Sequence, residues 1–399
     1  MNIISSYKIK FMNNTSSFIK MTNTGANSQI NFNKNIYIFH DIRSTILIIS
    51  LFFTIFLIFY LNNESHAQIT SFDSYDDMSD FQDRYNTTNK ASKSFFDTAN
   101  KVIVNNATKA IEFYDKGISA DPDWETLYLS KGYAFYKQRD FNNTLKQIEK
   151  TISIDTNWAA PWMDKGNVFF KQKNLTEAIH FYEKAISLDP NWPAPYINKA
   201  NTLATMGNFS GATEFYDLAL KKLGDVDSQL KSLNKSDTSA LPYWINIWFD
   251  KGEALYQLGK YVEAFNIYDK LITLDPNWAN PWNSKGWTLF KMGKNQESID
   301  AFDHAIKLDS MWAKPWNSKG WIQYKLGKFD DAIFSFDKAI ALEPKWDKPW
   351  FNKGKIYYDL GKLIEAKEFL QHAHSLNPKE SKSTELIELI NTKTTNTTP

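Results

Sequence analysis

A small residue that returns every 34 positions sets the terms for everything this chain can fold into. Gly132, Gly166, Gly252, Gly286, Gly320 and Gly354 are separated by 34, 86, 34, 34 and 34 residues, and Ala200 stands 34 residues after Gly166. The gap of 86 thus holds two periods and an insertion of 18 residues. A unit this short cannot bury its own apolar face, so successive units must stack into a solenoid. With the glycine as eighth residue, units begin at 125, 159, 193, 245, 279, 313 and 347, and a degenerate unit fills 91–124.

Two helices are predicted in each unit. In the unit at 279, Trp282, Gly286 and Leu289 fall at i, i+4 and i+7, and Ser298, Phe302 and Ala305 repeat that spacing. Each apolar stripe contains a small residue, which lets two helices approach closely. Gly293 is expected to close the first helix, and Asp-Pro at 189–190 and 275–276 to end second helices. Trp124, Trp158, Trp192, Trp244, Trp278, Trp312 and Trp346 take the last position of their units, and five more Trp lie four residues into the next. These twelve read as packing residues; Trp287 and Trp321 stand outside the pattern. Because Trp244 keeps its place, the insertion falls at about 224–242, where DVDSQLKSL is expected to lengthen a second helix.

The aromatic, small, small and proline positions Trp282, Gly286, Ala305 and Pro344 resemble the tetratricopeptide repeat, over about three quarters of the chain. Departures are Gln323 where other units have Leu, Phe or Tyr, Arg139 and Lys173 in place of the turn glycine, and a first helix without its signature in unit 91–124, read as a cap. The resemblance implies an all-α, right-handed superhelical solenoid of stacked antiparallel helix pairs over 91–380, with a capping helix and tail at 381–399. It also implies that first helices line a concave groove that binds proteins or peptides. Carried onto this chain, the groove residues are Asn198, Phe249, Tyr256, Asn283, Trp287, Phe290, Asn317, Trp321, Tyr324, Asn352 and Tyr358. The sixth position is always short and polar, as in Ser130, Asp164, Asp250, Ser284 and Ser318, and could hold the backbone of an extended peptide. Trp287 and Trp321 are either a binding patch or extra packing. A peptide-carboxylate clamp found in some family members is echoed by Lys314, Lys348 and Asn352, but Leu129 and Met163 stand where its Lys should be, so that specificity is not carried over.

Charge adds a second periodicity. Lys131, Lys165, Lys199, Lys251, Lys285, Lys319 and Lys353 precede the small residue of seven first helices. Asp115, Glu149, Glu183, Asp217, Asp269, Asp303 and Asp337 sit at the twenty-fifth place of seven second helices, offset by one unit. The offset predicts that each acid pairs with the Lys of the following unit and sets the stacking register; the alternative is duplicated residues that simply face water.

Ahead of the repeats lie an Asn-rich leader (1–43), an uncharged apolar segment (44–61) and an acidic linker (62–90). Eighteen uncharged residues are about the minimum to span a bilayer, and the cationic leader with acids beyond predicts a cytoplasmic N-terminus with the repeats outside. The segment is either an uncleaved anchor or a signal peptide cut after Ala67. Given export, sequons at Asn106, Asn142, Asn174 and Asn208 are candidate N-glycan sites on one edge.

The remaining composition narrows function. Lys and Arg number 46 against 45 Asp and Glu, which gives no basic face for nucleic acid. Cysteine is absent, and no phosphate loop, nucleophile elbow or metal-ligand spacing occurs, so neither catalysis nor a cofactor is expected. The sequence reads as an extracytoplasmic, membrane-associated scaffold for envelope protein assembly or retention, with polysaccharide binding by the aromatic groove as the alternative.

Overall fold

The computed structural model describes Arg84, residues 89–224 and residues 245–395, all within the compact unit Ala67–Pro399. The expected leader, apolar segment and insertion lie outside these residues, apart from Gly224 and the end of the linker. Among the described residues there are seventeen helices and no strand.

Sixteen helices form eight antiparallel pairs. They are α1 (Lys90–Val102) with α2 (Ala107–Ala120), α3 (Glu125–Lys137) with α4 (Phe141–Ile154), and α5 (Ala159–Lys171) with α6 (Leu175–Leu188). Next come α7 (Pro193–Thr205) with α8 (Phe209–Lys222), α9 (Ile245–Gln257) with α10 (Tyr261–Leu274), and α11 (Ala279–Lys291) with α12 (Asn295–Leu308). The last pairs are α13 (Ala313–Lys325) with α14 (Phe329–Leu342) and α15 (Asp347–Asp359) with α16 (Leu363–Leu376), followed by α17 (Ser381–Thr395) at the predicted capping position.

Local chemistry fixes these bounds. In the pair α11–α12 the Gly293 amide bonds the Phe290 carbonyl at 3.0 Å and Lys294 bonds back to Leu289 at 2.9 Å, a Schellman closure with Gly293 at φ +79°. Arg139 (φ 61°) and Lys173 (φ 63°) make the same turn without glycine, at a cost of about 1–2 kcal/mol each. Four second helices end in an Asp whose side chain turns the chain, as where Asp275 accepts from the Asn277 amide at 3.0 Å. The expected lengthening of a second helix is not seen in α8. It has the 14 residues of its counterparts, and Gly224 at φ +84° turns the backbone just after it.

Within each pair the small residue meets a buried ring or aliphatic side chain of the second helix. A Cβ on Gly286 would lie 2.8 Å from Cε1 of Phe302, inside van der Waals contact. Tyr114, Tyr182, Tyr216, Tyr268, Phe302 and Phe336 are all fully buried at this contact layer.

Between pairs, the structure forms all seven predicted ion pairs: Asp115–Lys131, Glu149–Lys165, Glu183–Lys199, Asp217–Lys251, Asp269–Lys285, Asp303–Lys319 and Asp337–Lys353, at 2.5–3.3 Å. Each ammonium also lies 4.0–5.9 Å from an aromatic ring centroid, which holds the Lys stem in place. Ahead of α1, Arg84 forks between Glu125 and Asp155 at 2.7 Å each and stacks 4.6 Å from the Trp158 ring.

The acid side of each interunit pair is about half exposed, so its net worth is small. A double-mutant cycle on Asp303→Ala and Lys319→Ala should give a coupling of about 0.2–1 kcal/mol that shrinks in high salt. A coupling of zero at low salt would show that the pair does not help set the register.

Candidate functional site

Where non-adjacent helices of the solenoid touch, first helices meet first helices: α5 with α7, α7 with α9, α9 with α11, α11 with α13, and α13 with α15. That crowding makes the first-helix side the tighter, inner wall, and the ninth and twelfth positions of each unit decide its chemistry.

Two arrangements follow one another along this wall. In the earlier pairs a second-helix Tyr hydroxyl donates to a polar ninth-position side chain of its own unit. Tyr182 bonds Asn167 at 2.9 Å, Tyr216 bonds Asn201 at 2.5 Å and Tyr268 bonds Glu253 at 2.6 Å. In the units at 279 and 313 the Tyr is replaced by Phe302 or Phe336, and the ninth position by Trp287 or Trp321. Loss of the hydroxyl removes the need for a polar partner, and an indole can sit there instead. Trp287 packs edge-on against Phe302 with centroids 5.7 Å apart. Both Trp remain only half-buried. They are therefore tied to the core and still present a face on the inner wall.

Around them the wall is cross-linked between units. The Trp287 indole N–H donates to Ser318 Oγ at 3.0 Å, and Asn352 donates to Asn317 at 3.0 Å. Tyr324 donates to Asp359 at 2.6 Å, while the Lys325 ammonium lies 4.8 Å from the Trp321 ring. Trp287, Phe290, Trp321 and Tyr324, with Asn317 and Asn352, thus form one continuous half-buried surface on α11, α13 and α15. Tyr256 lies half-buried against Tyr261, and Asn283 is half-buried with its side-chain oxygen unpaired.

Three expected groove residues are placed elsewhere. Phe249 is buried against Tyr268 and Trp278, because its ring completes the joint between α9, α10 and the following loop. Asn198 is buried and donates to Asn167 at 3.0 Å, using its amide between units. Tyr358 packs under α17 with the Lys393 ammonium 4.5 Å from its ring. The polar ladder is likewise partly spent on contacts between units, as Ser318 and Asn198 show. Leu129 and Met163, the two residues at odds with a carboxylate clamp, are fully buried core.

One wall residue carries unusual electrostatics. Burial, with the Glu253 carboxylate beside it, pushes the Asp250 carboxyl up from 3.8 to about 7. The native state keeps a proton that the unfolded chain has lost between these values, so stability falls as pH rises from about 4 to about 7. Asp250→Asn should therefore melt at a higher temperature than the wild type near pH 8 and at the same temperature near pH 4. Equal melting at both pH values would mean that Asp250 is well solvated.

Among the described residues no group of three His, Asp or Glu side chains could hold a metal ion, and no helix is long and apolar enough to cross a membrane. The exposed His304 stacks on Trp282 with centroids 4.3 Å apart, and the exposed His372 lies tilted against Trp350 at 4.1 Å.

Tetratricopeptide repeat family models match residues 159–191 and 313–345, 245–278 and 348–380, and 279–310. A tetratricopeptide repeat protein from Parabacteroides merdae superposes with TM-score 0.54 at 16% identity, covering 67% of this chain and 98% of that one. The APC/C hetero-tetramer Cut9–Hcn1 gives 0.49 at 18% identity; the match covers 77% of this chain but only 58% of its counterpart's length. YrrB, described as having an unusual peptide-binding site, gives 0.38 at 19% identity over 51% of this chain and 95% of its own. No curated protein matches the sequence.

Proposed function

Since this chain is a tetratricopeptide repeat protein, we propose that it is a non-catalytic scaffold whose inner wall on α11, α13 and α15 binds an extended protein segment. The observation that carries this reading is the half-buried aromatic surface of Trp287, Phe290, Trp321 and Tyr324. Large rings fixed on one side and open on the other supply most of the energy in protein interfaces. Asn317 and Asn352 are held rigid by their mutual bond, which suits them to pair with a peptide backbone.

In this reading the scaffold works outside the cytoplasm. Residues 44–61 form the anchor or signal, the leader stays in the cytoplasm, and the repeats assemble or retain envelope proteins. The sequon edge supports export. Asn106, Asn174 and Asn208 are exposed and cap α2, α6 and α8 through the side-chain oxygen, which leaves the nitrogen that a glycan would use. Asn142 suits modification less, because Thr144 of its sequon is buried and bonded to the Asp140 carbonyl. Protease added to intact cells should degrade the repeats; full protection of the chain would refute the export reading.

The binding reading is tested by crosslinking the full chain in envelope extract beside a Trp287→Ala, Trp321→Ala variant and a Trp316→Ala control. A discrete partner captured by wild type and control but lost in the double variant is the expected result. Capture that survives the double variant would move the contact off this wall. Capture of polysaccharide in place of protein would overturn the protein-binding reading.

A further inference from the structure

Far from the aromatic wall, a cleft of about 420 Å³ opens where the α3–α4 turn faces the end of α5, lined by Tyr133, Tyr136, Lys137, Arg139, Phe141 and Lys171. Rings and cations share this lining. Tyr136 and Phe141 lie edge to face at 5.9 Å, and the Tyr136 hydroxyl is buried without a hydrogen-bond partner among the described residues. Lys137, Arg139 and Lys171 are exposed.

Nearby acids do not neutralise Lys137 or Arg139. Asp140 is bonded to the Asn143 amide and side chain, and Asp164 is buried beside Asn167. The Lys137 ammonium lies 5.5 Å from the Tyr133 ring, and among the described residues neither Lys137 nor Arg139 takes part in an ion pair. The backbone adds an independent observation. Arg139 holds φ 61°, as Lys173 holds φ 63° one unit on, at a turn position where five later turns, from Gly207 to Gly361, have glycine. A side chain kept in a strained conformation that its own repeat family relieves elsewhere points to a role for that side chain.

We propose that this cleft binds a small anion carried on an aromatic ring, the ring against Tyr136 and Phe141 and the anionic group held by Lys137 and Arg139. Its volume suits a small molecule rather than a helix or strand. Charge-assisted bonds from a guanidinium fork and an ammonium group provide orientation. The site is separate from the wall on α11–α15, so it stands whether or not that wall binds protein.

Phenyl phosphate is a suitable probe, used in equilibrium dialysis against the full chain in detergent, with inorganic phosphate and phenol as its two halves. Saturable binding of phenyl phosphate, at least tenfold tighter than either half and weakened by salt, is expected. Arg139→Gly matches the later turns, so it should raise the melting temperature while weakening binding tenfold or more. Lys173→Gly relieves the same strain one unit on without touching the cleft. It should raise the melting temperature and leave binding within twofold. The proposal is overturned if the wild type shows no saturable binding, if the two halves bind as well as the whole, or if Arg139→Gly binds like the wild type.

Discussion

The close approach of two helices within each pair governs the rest of this structure. A second-helix side chain, usually a ring, rests on backbone because the eighth position is glycine or alanine. At Gly286 a single added carbon would stand 2.8 Å from the Phe302 ring. That contact sets the distance between the helices and thereby the position of every first helix relative to the next. The inner wall, the ion pairs between units and the turn geometry all inherit this spacing. Overpacking at such a site typically costs 1–3 kcal/mol, and in a stacked array the error passes to both neighbours.

Most of the fold was legible because it repeats. A period of 34 located the helix pairs, and the one-unit offset of acid and lysine identified which residues meet across each joint. The candidate site was legible only in part. Placing residues on a helix face by position ignores what the next unit does to them. Asn198 lies on the predicted face yet is consumed by Asn167, and Phe249 turns into the core where a ring is needed beside Trp278. Tyr358 is covered by α17, which lies outside the repeat and so has no periodic signal. A further signal lies in the units from 159 to 346. There Tyr at the twenty-fourth position goes with Asn or Glu at the ninth, whereas Phe goes with Trp, and this exchange marks where the wall changes from polar to aromatic.

The contacts of Arg84 had no signature at all. A lone arginine in an acidic linker meets Glu125, Asp155 and Trp158, three side chains contributed by separate stretches of a folded unit. Only the folded arrangement brings them together. Its effect is to tie Arg84 directly to the first well-formed pair and the joint that follows it.

Every joint in the stack is a contact between unlike faces, the trailing side of one pair against the leading side of the next. Contacts of this kind have no intrinsic stopping point; presented by separate molecules, they would build an open-ended filament. The last pair offers such a trailing side, with Leu370 and Tyr358 on it. Helix α17 lays Leu386, Ile387 and Ile390 across it, in the place that another first helix would take. Fifteen residues of ordinary amphipathic helix therefore act as a chain terminator, which keeps an otherwise extensible stack finite at this end.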